Sequence, residues 1–218
     1  MLRGLCELTG EPDFKPIVDK SIAIFAVYTG ATLLFFVRNF LFGLDQSTNG
    51  NSLTIPEHWK CWVTLAVSVL LLRYIIGSAT HLNHYYVPAI TQKIESNEIK
   101  SSGAPKSNNL CLLVFDLFFL IVFGVIAVFM TASMSIEDVM WAAIYFLLAG
   151  LTWSVLALAR AGERSIAFKW VMLDSLQIAI TLILIFLPVS ILCKAIALGL
   201  SYLVFLFVDL RFMVQTMK

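Results

Sequence analysis

The sequence predicts an all-α fold: a polytopic integral membrane protein built as a six-transmembrane-helix bundle, with its N-terminus and C-terminus both cytoplasmic. Three observations predict it. The first is composition. The chain has 218 residues, 60% of them hydrophobic and 13% charged, with a mean hydropathy of +0.89. A soluble domain carries about 25% charged residues, so the charge that would cover a water-facing surface is missing. The second is that six runs reach the roughly 20 mostly apolar residues that one crossing requires. The third is an uneven division of basic residues between the segments that join those runs.

Composition also removes other classes. A water-soluble monomer is excluded by the hydrophobic excess, and a disordered chain needs the opposite bias. A net charge of +1 supplies no basic footprint for nucleic acid.

Residues 1–20 form the expected cytoplasmic N-terminal segment. Glu7, Glu11, Asp13 and Asp19 are mixed there with basic residues, unlike a cleavable signal, so the first span is expected to remain as an anchor. Residues 21–210 form the six-helix domain. Its first span runs from Ser21 to Leu44 and holds Arg38 near its outer end, where a long aliphatic stem lets the guanidinium reach the headgroups. The second runs from Trp59 to Thr80 and contains Arg73. Residues 81–109 are expected to be a cytoplasmic loop. The third and fourth spans cover Leu110 to Ala132 and Val139 to Arg160. The fifth and sixth, Ala167 to Leu187 and Ser190 to Asp209, form one apolar run by hydropathy. Pro188 divides them, since it does not continue a helix and restricts Leu187 before it. Residues 211–218 are left as a cytoplasmic tail.

With the N-terminus inside, eleven basic residues fall in or beside inner segments and only Lys60 and Lys194 in outer ones, the asymmetry that fixes orientation in membranes. The same register puts Trp59, Trp62 and Trp141 at the outer interface and Tyr85, Tyr86 and Trp170 at the inner one, where amphipathic rings settle. The plasma membrane is the expected location, with the lipid bilayer as the first partner. Cys61 and Cys193 lie at outer ends of spans. An oxidising outer compartment would permit a bridge between them, but free buried cysteines acting as small hydrophobes are the expected state.

Ionisable groups at membrane depth are costly and mark functional sites by default. Asp116 and Asp174 have short side chains that cannot reach the interface, unlike Arg73, which is nearer the inner end of its helix. Arg73 with Asp116 is the expected pair, because consecutive helices usually pack side by side. Each odd-numbered span begins on the inner side with an aspartate (Asp19, Asp116, Asp174) and each even-numbered span ends there with an arginine (Arg73, Arg160, Arg211). An inner ring of ion pairs would follow. Asp174, Gln177 and Thr181 share one face of the fifth helix at steps of three and four. The expected polar cluster is therefore Arg73, Asp116, Asp174, Gln177 and Thr181.

On the second helix Arg73, Gly77, His81 and His84 fall on one face. His81 and His84 offer a metal site with Asp116 or a switch titrating near neutral pH, against a plainer reading as rings closing an interfacial helix end. On the fourth helix Ala143, Gly150, Ser154 and Ala157 recur with seam spacing, so small side chains let helices approach closely, inside one chain or between copies of it in a homo-oligomer. Pro88 can open a short amphipathic helix, followed by a Ser/Gly/Pro/Lys-rich tether to Asn109. That makes residues 88–109 a candidate docking segment for a cytoplasmic protein.

Enzyme signatures are missing. The chain has three histidines, too few for a membrane di-iron centre, and no His-Glu-x-x-His run. It has no glycine-rich phosphate loop and no intramembrane histidine to activate a serine. No cofactor is implied, and no catalytic residue. Two functions remain: a channel- or transporter-like pathway for an ion or small solute, bordered by the polar cluster, and a non-enzymatic membrane-embedded subunit whose cluster is structural and which binds a cytoplasmic partner.

Overall fold

A computed structural model of the chain describes residues 15–41, 57–86, 110–133, 135–161 and 166–216. They form six helices: α1 (Lys15–Phe36), α2 (His58–Tyr86), α3 (Leu110–Thr131), α4 (Ile136–Ala161), α5 (Ile166–Phe186) and α6 (Ile191–Thr216). A π-helical turn, Val37–Leu41, continues α1 and carries Arg38 on an exposed face. No strand occurs among the described residues. All six helices are long and apolar enough to cross a membrane, and they make the chain an integral multi-pass membrane protein.

Neighbouring contacts close a ring in which α1 packs on α2, α2 on α6, α6 on α5, α5 on α4, α4 on α3 and α3 on α1. The helix α2 also touches α3 and α4 across the ring and is the most buried span. Its side chains therefore meet four other helices. The pattern of exposure is inverted relative to a soluble protein. Ile24 is 70% and Phe186 74% exposed, while Arg73, His81, Asp116, Asp174, Gln177 and Asp209 are buried. Large apolar side chains on the outside and charges within are stable only where the surroundings are hydrocarbon.

Local sequence accounts for the helix ends. Ser135 Oγ accepts from Asp138 N at 3.1 Å while Asp138 Oδ2 accepts from Ser135 N at 3.1 Å, a reciprocal cap of the orphan donors at the start of α4. The turn Leu187–Ser190 contains Pro188, as the sequence leads one to expect, and Ser190 caps α6 by accepting from Cys193 N at 3.3 Å. Lys194, counted with the outer basic residues, lies in the first turn of α6, buried, and donates to the Ile185 carbonyl at 2.9 Å. That bond occupies a carbonyl left orphaned by the end of α5.

Three helices outrun the boundaries expected from hydropathy by six or seven residues. α1 begins at Lys15, α2 continues to Tyr86 and α6 to Thr216. The apolar run marks the hydrocarbon thickness, whereas the backbone bonds of a helix persist into the polar interface. Helix α2 therefore takes in the first residues of the expected loop 81–109, and α6 takes in residues 211–216 of the expected tail. Residues 1–14 and the docking segment 88–109 lie outside the described residues.

Candidate functional site

Arg73 is the organising residue. At about 1.5 Å per residue it stands roughly 22 Å from the start of α2, and 4% of it is exposed. Its Nη2 lies 2.8 Å from Asp174 Oδ1, its Nε donates to Asp209 Oδ2 and its Nη1 donates to Gln177 Oε1. Asp174 and Gln177 sit one turn apart on α5, and Asp209 is on α6, so one planar guanidinium ties three helices together. Arginine suits this work because its donors are fixed in a fork and stay protonated. Counted formally, one cation faces two carboxylates, an excess of one negative charge in the interior.

Beside this cluster is a cavity of about 30 Å³, lined by Arg73, Tyr74, Gly77, Ser78, Gly150, Trp153, Ser154, Trp170, Asp174 and Asp209. It exceeds the roughly 10–15 Å³ that one water needs and is far too small for an organic solute. Polar atoms around it are left over. Tyr74 Oη, Ser78 Oγ and Asp209 Oδ1 are buried without a hydrogen-bond partner. Asp174 Oδ1 is close enough to Arg73 to form an ion pair but takes no aligned hydrogen bond. Buried polar groups normally find partners, so their convergence on one cavity marks it as a place for a polar guest.

Glycines shape the chamber. A Cβ built on Gly150 would overlap the Tyr74 hydroxyl and lie 2.5 Å from Tyr74 Cε1 and Cζ, so the missing side chain is what lets Tyr74 occupy its place. At Gly77 a Cβ would meet nothing within 4 Å. The wall of the cavity at Gly77 is thus open, on the α2 face that also carries Arg73 and His81.

A second polar cluster occupies the end of α2. Asp116 on α3 is wholly buried. Its Oδ2 accepts from the Tyr86 hydroxyl at 2.6 Å and lies 3.4 Å from His81 Nε2, while its Oδ1 accepts from Trp153 Nε1 at 2.9 Å. The His81 ring meets Trp153 edge-on at 4.7 Å and lies 6.1 Å from Trp170. Both tryptophans also line the cavity, so they are shared walls between the two clusters.

The expected cluster is thus divided. Arg73, Asp174 and Gln177 come together. Thr181 is one turn farther along α5, donating to the Gln177 carbonyl at 2.8 Å and lying 3.2 Å from the Tyr202 hydroxyl, away from the cavity. The expected pair Arg73 with Asp116 is not formed. Arg73 turns to α5 and α6 because α2 packs chiefly on α6 and only slightly on α3. Nor is the inner ring of ion pairs found among the described residues: Asp19 and Arg211 are exposed, and the Arg160 side chain lies outside the described residues. His81 does meet Asp116, as the metal reading required. Among the described residues, however, no three His, Cys, Asp or Glu side chains gather in a way that could hold an ion. The His84 side chain lies outside the described residues.

Ala143, Gly150, Ser154 and Ala157 are all buried within the chain, so this seam is internal packing and not a free face for a second copy. Cys61 and Cys193 are unbridged and exposed, not buried. Trp170 and Tyr86, whose expected place at the inner interface is a matter of depth, are buried in the bundle against His81 and Asp116. Sequence reasoning missed Asp209, Tyr74, Ser78 and Trp153. For Asp209 a signal was present, because the apolar run continues through Leu210, Phe212 and Val214 and places the carboxylate within a helix instead of at its end. No family model, curated protein or solved structure matches the chain.

Proposed function

We propose that the chain forms a channel- or transporter-like pathway for a small cation or a proton, with Arg73, Asp174, Asp209 and Gln177 as its binding station. The observation that carries this reading is the charge arithmetic of the chamber: two buried carboxylates, one guanidinium and a cavity of water size edged by unpartnered oxygens. A carboxylate in excess at this depth is stabilised by a cation or a proton, and 30 Å³ restricts the guest to those. An organic solute does not fit. In this reading both termini lie in the cytoplasm, an orientation supported by the distribution of basic residues, and the plasma membrane is the proposed location.

The second reading, a membrane-embedded subunit whose polar core is structural and whose segment 88–109 meets a cytoplasmic partner, is favoured by one observation. Arg73 spends three of its nitrogens on Asp174, Asp209 and Gln177, as a purely structural tie would. Flux in proteoliposomes separates the two. The pathway reading expects wild-type protein to dissipate an imposed cation or proton gradient and Asp174→Asn and Asp209→Asn to abolish this while remaining folded. Unchanged flux in both variants, or wild-type liposomes no leakier than empty ones, leaves the structural reading.

A further inference from the structure

We infer that the groove between the end of α3 and the start of α4 binds one zwitterionic phospholipid, with the lipid's ammonium group held at the rim by Asp138 and Trp141 and its acyl chains running down between Phe129 and Tyr145. The groove has a volume of about 750 Å³, within the roughly 300–1,000 Å³ of small-molecule sites. It shares no lining residue with the Arg73 chamber, so the inference stands apart from the pathway proposed above.

Helical spacing builds the two walls. On α4, Asp138, Trp141, Ala142 and Tyr145 fall at steps of three, one and three and share a face; on α3, Ile126, Phe129 and Ser133 follow at steps of three and four. Ala142, small between two large rings, leaves the room. The apolar spans end at Met130 and begin again at Ile136, which sets the rim at the level of the headgroups. From the rim, each wall descends about 10 Å along its helix. The interfacial layer is only about 5–8 Å deep on each side of a bilayer, so the groove reaches from headgroups into hydrocarbon.

The lining changes with depth as a lipid does. Asp138 and Ser133 stand at the rim, Trp141 and Phe129 one turn in, and Tyr145 and Ile126 a further turn down. Charge selects the headgroup. Asp138 and its neighbour Glu137 are exposed, and no lysine or arginine is among the described residues that line the groove. Asp138 Oδ2 accepts from Ser135 N at 3.1 Å, a bond that fixes the carboxylate in place. A carboxylate beside aromatic faces attracts an ammonium group, a quaternary one above all, and repels an anionic headgroup. Trp141 adds an indole N–H, a donor for the phosphate that adjoins the ammonium in such a lipid.

The test is native mass spectrometry of the full-length protein in detergent, after exchange with an equimolar mixture of phosphatidylcholine and phosphatidylglycerol carrying the same acyl chains. The wild type is expected to retain one phosphatidylcholine per chain, in roughly threefold or greater excess over phosphatidylglycerol. Asp138→Asn keeps an acceptor for Ser135 N, and with it the cap of α4, and is expected to abolish the preference. Trp141→Ala, which removes a ring, and Ala142→Trp, which fills the groove, are each expected to lower retained phosphatidylcholine by roughly threefold or more. Phe168→Ala, at an exposed aromatic on α5, is expected to leave it unchanged. Thermal unfolding in lipid-free detergent checks that each variant is folded. Equal retention of the two lipids by the wild type, a preference for phosphatidylglycerol, or a preference that survives both Asp138→Asn and Trp141→Ala overturns the inference. So does an equal loss in Phe168→Ala, the mark of lipid held anywhere on the apolar surface. A dimer abolished by Ala142→Trp, in place of the lipid-bound chain, overturns it in favour of a second copy.

Discussion

Replacing Gly150 with alanine tests the geometry on which the chamber depends. The new methyl would overlap the Tyr74 hydroxyl and lie 2.5 Å from Cε1 and Cζ, so the ring must retreat by roughly 1 Å to regain ordinary carbon–carbon separation. It has little room to do so. Phe123 lies 4.9 Å and Phe146 4.7 Å from its centroid, and the Arg73 guanidinium lies 5.6 Å from it on another side. Overpacking of this kind costs about 1–3 kcal/mol, and the aromatic neighbours put Gly150→Ala toward the upper end. Tyr74→Phe alone removes a buried hydroxyl that has no partner, so it should be neutral or slightly stabilising. In the double variant the worst overlap disappears while that with the ring carbons remains, which predicts partial rescue and a coupling of roughly 0.5–3 kcal/mol. The assay is thermal unfolding of purified protein in detergent, where 1 kcal/mol moves the midpoint by about 2–4 °C for a chain of this size. A Gly150→Ala variant as stable as wild type, or a double variant no better than the single, refutes the close approach of α4 to Tyr74.

Other expectations follow from the same contacts. Arg73→Gln leaves Asp174 and Asp209 facing each other without a cation and should destabilise by about 3–5 kcal/mol; adding Asp209→Asn should recover part of the loss in melting experiments, and no recovery would dissolve the proposed pairing. Tyr86→Phe removes a 2.6 Å bond to a buried carboxylate, a loss of about 1.5–3 kcal/mol that should exceed that of Tyr145→Phe on the exposed surface. Ser135→Ala removes the cap of α4 and should cost about 0.5–2 kcal/mol, read as a lower melting temperature with flux unchanged. Thiol or amine labelling of Lys100 or Lys106 variants should occur only from the cytoplasmic side, and labelling from outside would invert the orientation.

The six helices were legible because a span must satisfy its backbone internally over a fixed thickness, and that demand writes a long apolar run into the sequence. Pro188 was legible for a comparably local reason. The grouping of Arg73, Asp174 and Gln177 was partly readable, since helical spacing puts Asp174 and Gln177 on one face and charges at depth seek partners. Which carboxylate meets Arg73 was not. It depends on α2 packing against α6, a choice among helix neighbours that no periodicity encodes, and adjacency along the chain suggested α3 instead. Tyr74 and Trp153 read as ordinary core aromatics, because only the tertiary fold reveals that one nests on Gly150 and the other donates to Asp116. Asp209 was overlooked for a subtler reason. Hydropathy makes it the last residue of a span, whereas its helix runs on to Thr216 and leaves it deeper than the apolar run suggests.

The central proposal is that the buried carboxylates of α5 and α6, neutralised only in part by Arg73, are the binding station of a pathway for a small cation or a proton. The reversal potential of the current across a planar membrane containing the protein tests it most directly, with a pH difference imposed and with potassium and sodium held equal on both sides. The account predicts a reversal that shifts by about 59 mV per pH unit for a proton or by the same amount per tenfold ratio of a conducted cation, with no current above background in Asp209→Asn. A reversal that stays at zero under the pH gradient and also when the potassium or sodium ratio is varied contradicts it.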